Sequence, residues 1–77
     1  MPAPAVVVGP LLVSRFDAAA LAGVAIATWD RLVAAGKTPR PVRVGGSVRF
    51  RRADVETWIR LDCPDRAEFD AAVAAGE

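Results

Sequence analysis

The first part of the chain carries apolar residues at helical spacing, with polar residues and glycines where helices begin and end. Ser14, followed three residues later by Asp17, forms a capping-box-like pattern. The serine hydroxyl accepts a hydrogen bond from a free backbone amide, and the acid is favourable near the positive end of the helix dipole. We therefore predict a helix over about residues 15–22, ended by Gly23, since glycine adopts a left-handed conformation without steric cost. A second helix follows over about residues 26–35 and ends before another glycine.

Residues 41–52 alternate between apolar and polar positions, which predicts a short β-hairpin. Directly opposed residues of an antiparallel pair point to the same face. The apolar residues share one face only if Val44 lies opposite Val48, which makes residues 45–47 the loop. The predicted apolar face consists of Val42, Val44, Val48 and Phe50.

The same register places three arginines, Arg43, Arg49 and Arg51, on the other face of the hairpin, with Arg43 opposite Arg49. Like charges that face each other across a pair of strands cost stability unless something neutralises them. The phosphates of a polyanion would do so. The alternative is a solvated face whose arginines repel one another only weakly in salt.

Two more helices are predicted after the hairpin. The third has Asp54 in its first turn, where an acid is favourable, and ends near Leu61. Pro64 begins the fourth, since proline suits the first helical turn, and Phe69 and Val73 form its buried side. That helix ends at the last glycine of the chain.

Both tryptophans lie in apolar stripes at helical spacing. The stripes consist of Trp29, Leu32 and Val33 in the second helix and of Val55, Trp58 and Ile59 in the third. Tryptophan can stack on single-stranded bases. This spacing instead favours the hydrophobic core for both residues.

Two helices joined by a short turn that contains glycine form the unit in which the second helix enters the DNA major groove. Ala19, four residues before Gly23, is small enough to let the second helix approach closely. Any helical hairpin with a glycine turn imitates this pattern, but here a basic hairpin follows. We therefore predict a mainly α fold with a small β-hairpin wing, a winged helix-turn-helix, whose wing contacts backbone phosphates.

Charge is distributed unevenly along the chain, although the formal net charge is only +1. Residues 30–60 carry eight Lys or Arg against three acids, whereas residues 61–77 carry one Arg against five acids. The basic middle favours a polyanionic partner. The acidic end leaves open an alternative, a protein-interaction module that uses the apolar N-terminal segment or the last helix.

The residue types that catalysis and metal binding need are missing. The chain has no histidine and no tyrosine, and its single cysteine, Cys63, has no second cysteine to pair with. No glycine-rich loop precedes a lysine at phosphate-binding spacing. We expect no enzyme activity, metal site, cofactor or small-molecule substrate, and we expect Cys63 to be a semi-buried thiol in a reducing cytoplasm.

We expect three segments: a mobile leader over residues 1–10, the winged helix-turn-helix domain over residues 11–62, and a C-terminal helix over residues 63–77 packed on that domain. Prolines interrupt the apolar leader and no basic segment precedes it, so it makes a poor signal peptide. It is also too short to span a bilayer. We expect a cytoplasmic, nucleoid-associated protein without membrane contact, whose self-association is weak or templated by DNA because the chain has no heptads.

The sequence resembles the AlpA-like, MerR-type winged helix-turn-helix proteins of phages and mobile elements, which include small transcriptional regulators and excisionases. The motifs that carry the resemblance are AAALAGV in the first helix and turn, TWDRLVAAGKTPRPVRVGG in the second helix and first wing strand, and VRFRRADVETWI in the second strand and third helix. It covers about residues 12–59 and extends through CPDRAEF.

The resemblance implies binding to double-stranded DNA, by a regulator or an excisionase-type accessory factor of a mobile element. In the recognition helix the implied contacts are Thr28 and Arg31. The alternative for Thr28 is a hydrogen bond from its hydroxyl to the backbone of its own helix, and the alternative for Arg31 is a solvated side chain. The other predicted DNA-binding residues are Lys37, Arg40, Arg43, Ser47, Arg49 and Arg51. Lys37 and Arg40 flank the start of the wing and either contact phosphate or are solvated.

The start of the recognition helix departs from the family pattern. Ala25 stands where family members usually have serine, and Ile26 and Ala27 stand near positions that are usually polar or basic. This end of the helix therefore has no side-chain cap and few groups that can hydrogen-bond a base edge. Asp30 would repel phosphate unless it accepts from a cytosine amine or lies outside the groove.

Overall fold

The computed structural model describes residues 9–76. The helices are α1 (Arg15–Ala22), α2 (Ile26–Ala34), α3 (Arg52–Arg60) and α4 (Arg66–Ala74), and the strands are β1 (Leu12–Val13), β2 (Val42–Val44) and β3 (Ser47–Arg51). The predicted fold class is confirmed: the protein is mainly helical, and a small antiparallel sheet forms the wing after two consecutive helices.

The turn between α1 and α2 is fixed by backbone hydrogen bonds. Gly23 takes φ +72°, and the amides of Gly23 and Val24 donate to the carbonyls of Ala20 and Ala19 at 3.1 and 3.0 Å. This is a Schellman motif, which satisfies the last carbonyls of α1. At the other end of α1 the Ser14 hydroxyl accepts from the Asp17 amide, as predicted. The second helix begins without a side-chain cap, also as predicted.

The predicted register of the hairpin is wrong by one residue. The observed pairs are Val42 with Arg49, Arg43 with Val48, and Val44 with Ser47. The loop therefore has two residues, Gly45 and Gly46, instead of three. Arg43 does not face Arg49, and the mutual repulsion inferred for them does not exist in this register.

Turn geometry decides the register. Gly45 takes φ +62° and Gly46 has no positive φ, the pattern of a type II′ turn, whose twist matches that of the flanking strands. The hydrophobic pattern does not oppose this choice, because Val44 and Val48 are 49% and 42% exposed at the tip of the wing. A register is strongly specified by apolar residues only where one face is buried.

The structure adds a strand that the sequence analysis missed. Strand β1 pairs with β3 on the side away from β2, with Leu12 opposite Arg51 and Val13 opposite Phe50. Val13 and Phe50 are both buried, so they define the face of the sheet that meets the core. The wing is thus anchored at its base by a third strand.

Three aromatic rings hold the core together. Trp29 of α2 packs edge-on against Phe50 of β3 and Trp58 of α3, with ring centroids 5.2 and 5.7 Å apart. Both tryptophans are buried, as predicted. The buried apolar residues are Val13, Ala18, Ala19, Trp29, Phe50, Val55, Trp58 and Phe69. Ile59 was expected beside Trp58 in the core but is exposed.

The last helix begins later than predicted. It begins at Arg66 and not at Pro64; Asp65 is its N-cap, and Asp65 and Glu68 form a reciprocal capping box. Phe69 is buried as expected, whereas Val73 is exposed, so the prediction of a buried Val73 is wrong. Along α4 the core therefore includes Phe69 but does not extend to the next turn.

Cys63 is exposed, contrary to the expectation of a semi-buried thiol. Partial desolvation, and to a smaller extent the neighbouring Asp62 carboxylate, raise the pKa of the thiol above its ordinary value. Both effects disfavour the thiolate, so Cys63 is a weak nucleophile at neutral pH.

The N-terminal leader falls largely outside the described residues, which begin at Gly9. Pro10 lines a groove on the domain together with Val13 and Leu21. No helix within residues 9–76 is long and apolar enough to cross a membrane.

The turn assignment is testable with a matched pair of variants. We expect Gly45→Ala to lower the free energy of unfolding by about 1–2 kcal/mol, because alanine is strained at a left-handed φ. Gly46→Ala adds the same methyl group where nothing lies within 4 Å and φ is not positive, so it should change stability by less than about 1 kcal/mol. Urea unfolding of both variants measures the difference, and equal losses would contradict the two-residue turn.

Candidate nucleic-acid interface

The exposed side of α2 is defined by the burial of Trp29 on its other side. Arg31 is exposed and Thr28 is half-buried, and the Arg31 Nη2 donates to the Thr28 Oγ1 at 3.3 Å. The two residues predicted as contacts in this helix are therefore adjacent. The hydroxyl orients the guanidinium but leaves most of its donors available.

Asp30, the acid on the exposed side of α2, is neutralised from α1. Arg15 Nη1 donates to Asp30 Oδ2, and the Arg15 guanidinium also lies over the Phe16 ring, 4.5 Å from its centroid. This pairing removes much of the repulsion that Asp30 would exert on a phosphate. Arg15 could not be predicted from the sequence because its partner lies 15 residues away, on a helix whose crossing angle no local pattern gives.

The linker between α2 and β2 combines a buried centre with charged ends. Thr38 and Pro39 are buried, while Lys37 and Arg40 on either side are exposed. Arg40 forms an ion pair with Asp70 of α4, with Nη2 and Oδ2 3.0 Å apart. The buried residues at the centre fix the backbone positions from which the Lys37 and Arg40 side chains extend into solvent.

The wing does not present its three arginines together, which corrects the prediction of one arginine face. Arg43 pairs with Val48 and so shares the face of Phe50, the face against which α2 packs through Trp29. Ser47 and Arg49 belong to the opposite face, with Val42 and Val44.

The predicted DNA-binding cations differ in whether they already have a partner within the protein. Arg49 Nη1 donates to the Val48 carbonyl at 3.0 Å, and Arg51 pairs with Asp54 at 3.7 Å. Within residues 9–76, the side chains of Lys37 and Arg43 have neither a hydrogen-bond partner nor an ion-pair partner. These two cations therefore have no internal contact that an external anion would have to break.

Two further residues of the site came from outside the predicted set. Arg66 Nε donates to the Thr38 carbonyl at 3.0 Å, and the Arg66 amide donates to the Gly36 carbonyl at 2.9 Å. Asp70 supplies the partner of Arg40. The sequence signal for Asp70 was the opposite charge of the last helix and the middle of the chain, whereas no sequence pattern pointed to Arg66.

The arrangement also matches a known family. A family model described as a helix-turn-helix domain matches residues 12–60, well over half of the chain. The match begins with β1 and ends with α3, so it contains both helices of the α1–α2 unit and the whole wing. The chain belongs to this helix-turn-helix domain family. The helix-turn-helix protein is accordingly a DNA-binding protein, and double-stranded DNA is the form that this unit binds.

No curated protein matches the helix-turn-helix protein, and no solved structure matches it either.

The role of Arg15 can be separated from direct DNA contact. We expect Arg15→Ala to weaken duplex binding by about two- to five-fold because it exposes the charge of Asp30. In an Asp30→Asn background the same change should have little effect. Fluorescence anisotropy with a short random-sequence duplex measures all four proteins, and an equal loss in both backgrounds would show that Arg15 acts independently of Asp30.

Proposed function

We propose that the protein is a transcriptional regulator or an excisionase-type accessory factor of a mobile element, of the AlpA-like, MerR-type kind. In this proposal α2 enters the major groove of duplex DNA and the basic wing contacts the backbone. The observation that carries it is the sequence of accessible cations from α2 through the linker to the wing. These cations are Arg31, Lys37 and Arg43.

The dimensions of α2 suit this role. An α-helix with its side chains is about 10–12 Å in diameter, which fits the major groove of about 12 Å width, and the nine residues of α2 give it a length of roughly 13 Å along the groove. Arg43 lies on the sheet face that packs toward α2. A duplex held by α2 therefore meets Arg43 more readily than Arg49 or Ser47, which lie on the other face.

Affinity in this proposal comes mainly from phosphate contacts. The first turn of α2 presents Ala25, Ile26 and Ala27, which offer no side-chain hydrogen bond to a base edge. Arg31 is the one arginine on the helix and is suited to bidentate contact with guanine, with Thr28 beside it. Sequence preference should consequently rest on one or two base pairs.

The remaining parts of the proposal follow from this role. Binding and release of DNA need no covalent chemistry, so we propose no enzymatic activity, cofactor or small-molecule substrate. The protein would work in the cytoplasm, associated with the nucleoid, and copies would associate weakly when DNA brings them together.

A second candidate is a protein-interaction module, supported by exposed apolar side chains near the start of the described chain. Leu11 and Phe16 are 71% and 60% exposed. Large apolar side chains exposed to this extent are available to a protein partner. Phe16 lies beside Arg15, which pairs with Asp30 of α2, so a protein partner bound here would lie next to the recognition helix.

The salt dependence of binding tests the proposed function. Neutralising roughly four to six phosphates gives a log–log slope of affinity against salt near −4 to −5. We expect Arg43→Ala to weaken binding to all duplexes and to reduce this slope by about 0.9. A titration by gel shift with random duplex at several salt concentrations measures both quantities.

Arg52→Gln is the matched control for Arg43→Ala, because it removes one positive charge from a residue that pairs with Glu56 and borders the groove beside α1. It should leave the slope nearly unchanged. A wild-type slope near zero would contradict the proposed function, and equal effects of the two variants would contradict the contact by Arg43.

A further inference from the structure

A groove between α4 and the base of the wing contains two arginines and two acids. Its volume is about 300 Å³. The lining residues are Arg40, Arg51, Asp54, Phe69, Asp70, Val73 and Ala74. Arg40 comes from the linker after α2 and Arg51 from the end of β3. The groove therefore brings together two predicted DNA-binding cations from separate elements of the fold.

Each arginine of the groove has an internal carboxylate partner. Arg40 pairs with Asp70 at 3.0 Å, and Arg51 pairs with Asp54 at 3.7 Å. The side chains of Arg40 and Arg51 are 69% and 59% exposed, and exposed ion pairs of this kind contribute little to stability. A phosphate that accepts hydrogen bonds from two guanidinium groups is a stronger ligand for either arginine than one exposed carboxylate.

Helix α4 holds Asp70 in a fixed position. The Arg66 contacts to Gly36 and Thr38 attach the start of α4 to the linker, and the Trp58 Nε1 donates to the Pro64 carbonyl at 2.7 Å. Phe69, adjacent to Asp70, is buried in the core. Asp70 is therefore a preset competitor for Arg40 and not part of an unattached acidic tail.

We propose that this groove is a binding site for a DNA backbone phosphate, in which Arg40 and Arg51 hold the phosphate and Asp70 of α4 limits its affinity. The proposal rests on the proposed function and deepens it. In the free protein the Asp70 carboxylate forms an ion pair with Arg40. On binding DNA, Arg40 exchanges the Asp70 carboxylate for a phosphate, and the cost of that exchange reduces the affinity.

The charge of Asp70 gives this groove a regulatory consequence. Helix α4 lies outside residues 12–60, the segment that matches the helix-turn-helix family. The acid that limits phosphate binding is thus supplied by an element outside the matched segment. Its effect is to keep binding to arbitrary duplex DNA weak and to leave relatively more of the affinity to the contacts of α2.

Asp70→Asn tests the proposal, because it removes the competing charge and keeps the shape of the side chain. We expect about two- to five-fold tighter binding to a short random-sequence duplex, with a salt slope close to that of the wild type because Arg40 contacts the same phosphate in both proteins. The gain in affinity should disappear when Arg40→Ala is present as well. Thermal unfolding of each variant establishes that it is folded.

Glu56→Gln is the matched control, since it changes the net charge by the same amount. Glu56 pairs with Arg52 of α3, and Arg52 does not line this groove. Equal effects of Asp70→Asn and Glu56→Gln, or a gain from Asp70→Asn that persists without Arg40, would overturn the phosphate site while leaving the proposed function intact. Absence of duplex binding by the wild-type protein and by every variant would instead overturn the proposed function.

Discussion

The contact of Trp29 with Phe50 and Trp58 is the interaction on which the rest of the structure depends. It joins the recognition helix α2 to the sheet and to α3, with both ring pairs close to perpendicular. Aromatic pairs in this geometry contribute about 0.5–1.5 kcal/mol each beyond the area they bury. The Trp29 Nε1 has no hydrogen-bond acceptor among residues 9–76, so packing alone holds this indole. The packing of Trp29 on Phe50 sets the position of α2 relative to the wing.

The distribution of internal partners decides what the charged surface can do. Of the cations that the sequence placed in the interface, some are bound to acids or carbonyls of the protein itself, whereas Lys37 and Arg43 have no such partner in the described part of the chain. An arginine that must leave a carboxylate contributes less to binding than one that is already accessible. Net charge and local charge density do not reveal this difference.

Much of the fold could be predicted because its signals are local. The ends of α1, the glycine turn, the uncapped start of α2 and the burial of both tryptophans depend on residues within a few positions of one another. Strand β1 could not be found in this way, since it has two residues and exists only through its pairing with β3. Val73 and Ile59 were misplaced because helical spacing identifies an apolar side without showing how far the core extends along it.

The sequence by itself determined the order of the helices and the hairpin, the two-helix unit and the identity of the basic residues, since periodicity, capping residues and composition are properties of the chain. Tertiary structure alone decided which of those residues act together. The hairpin register follows from a two-residue glycine turn at a tip where exposed valines impose no constraint, and it separates Arg43 from Arg49. The pairs Arg15–Asp30 and Arg40–Asp70 join residues from different elements, and their formation depends on how the helices pack.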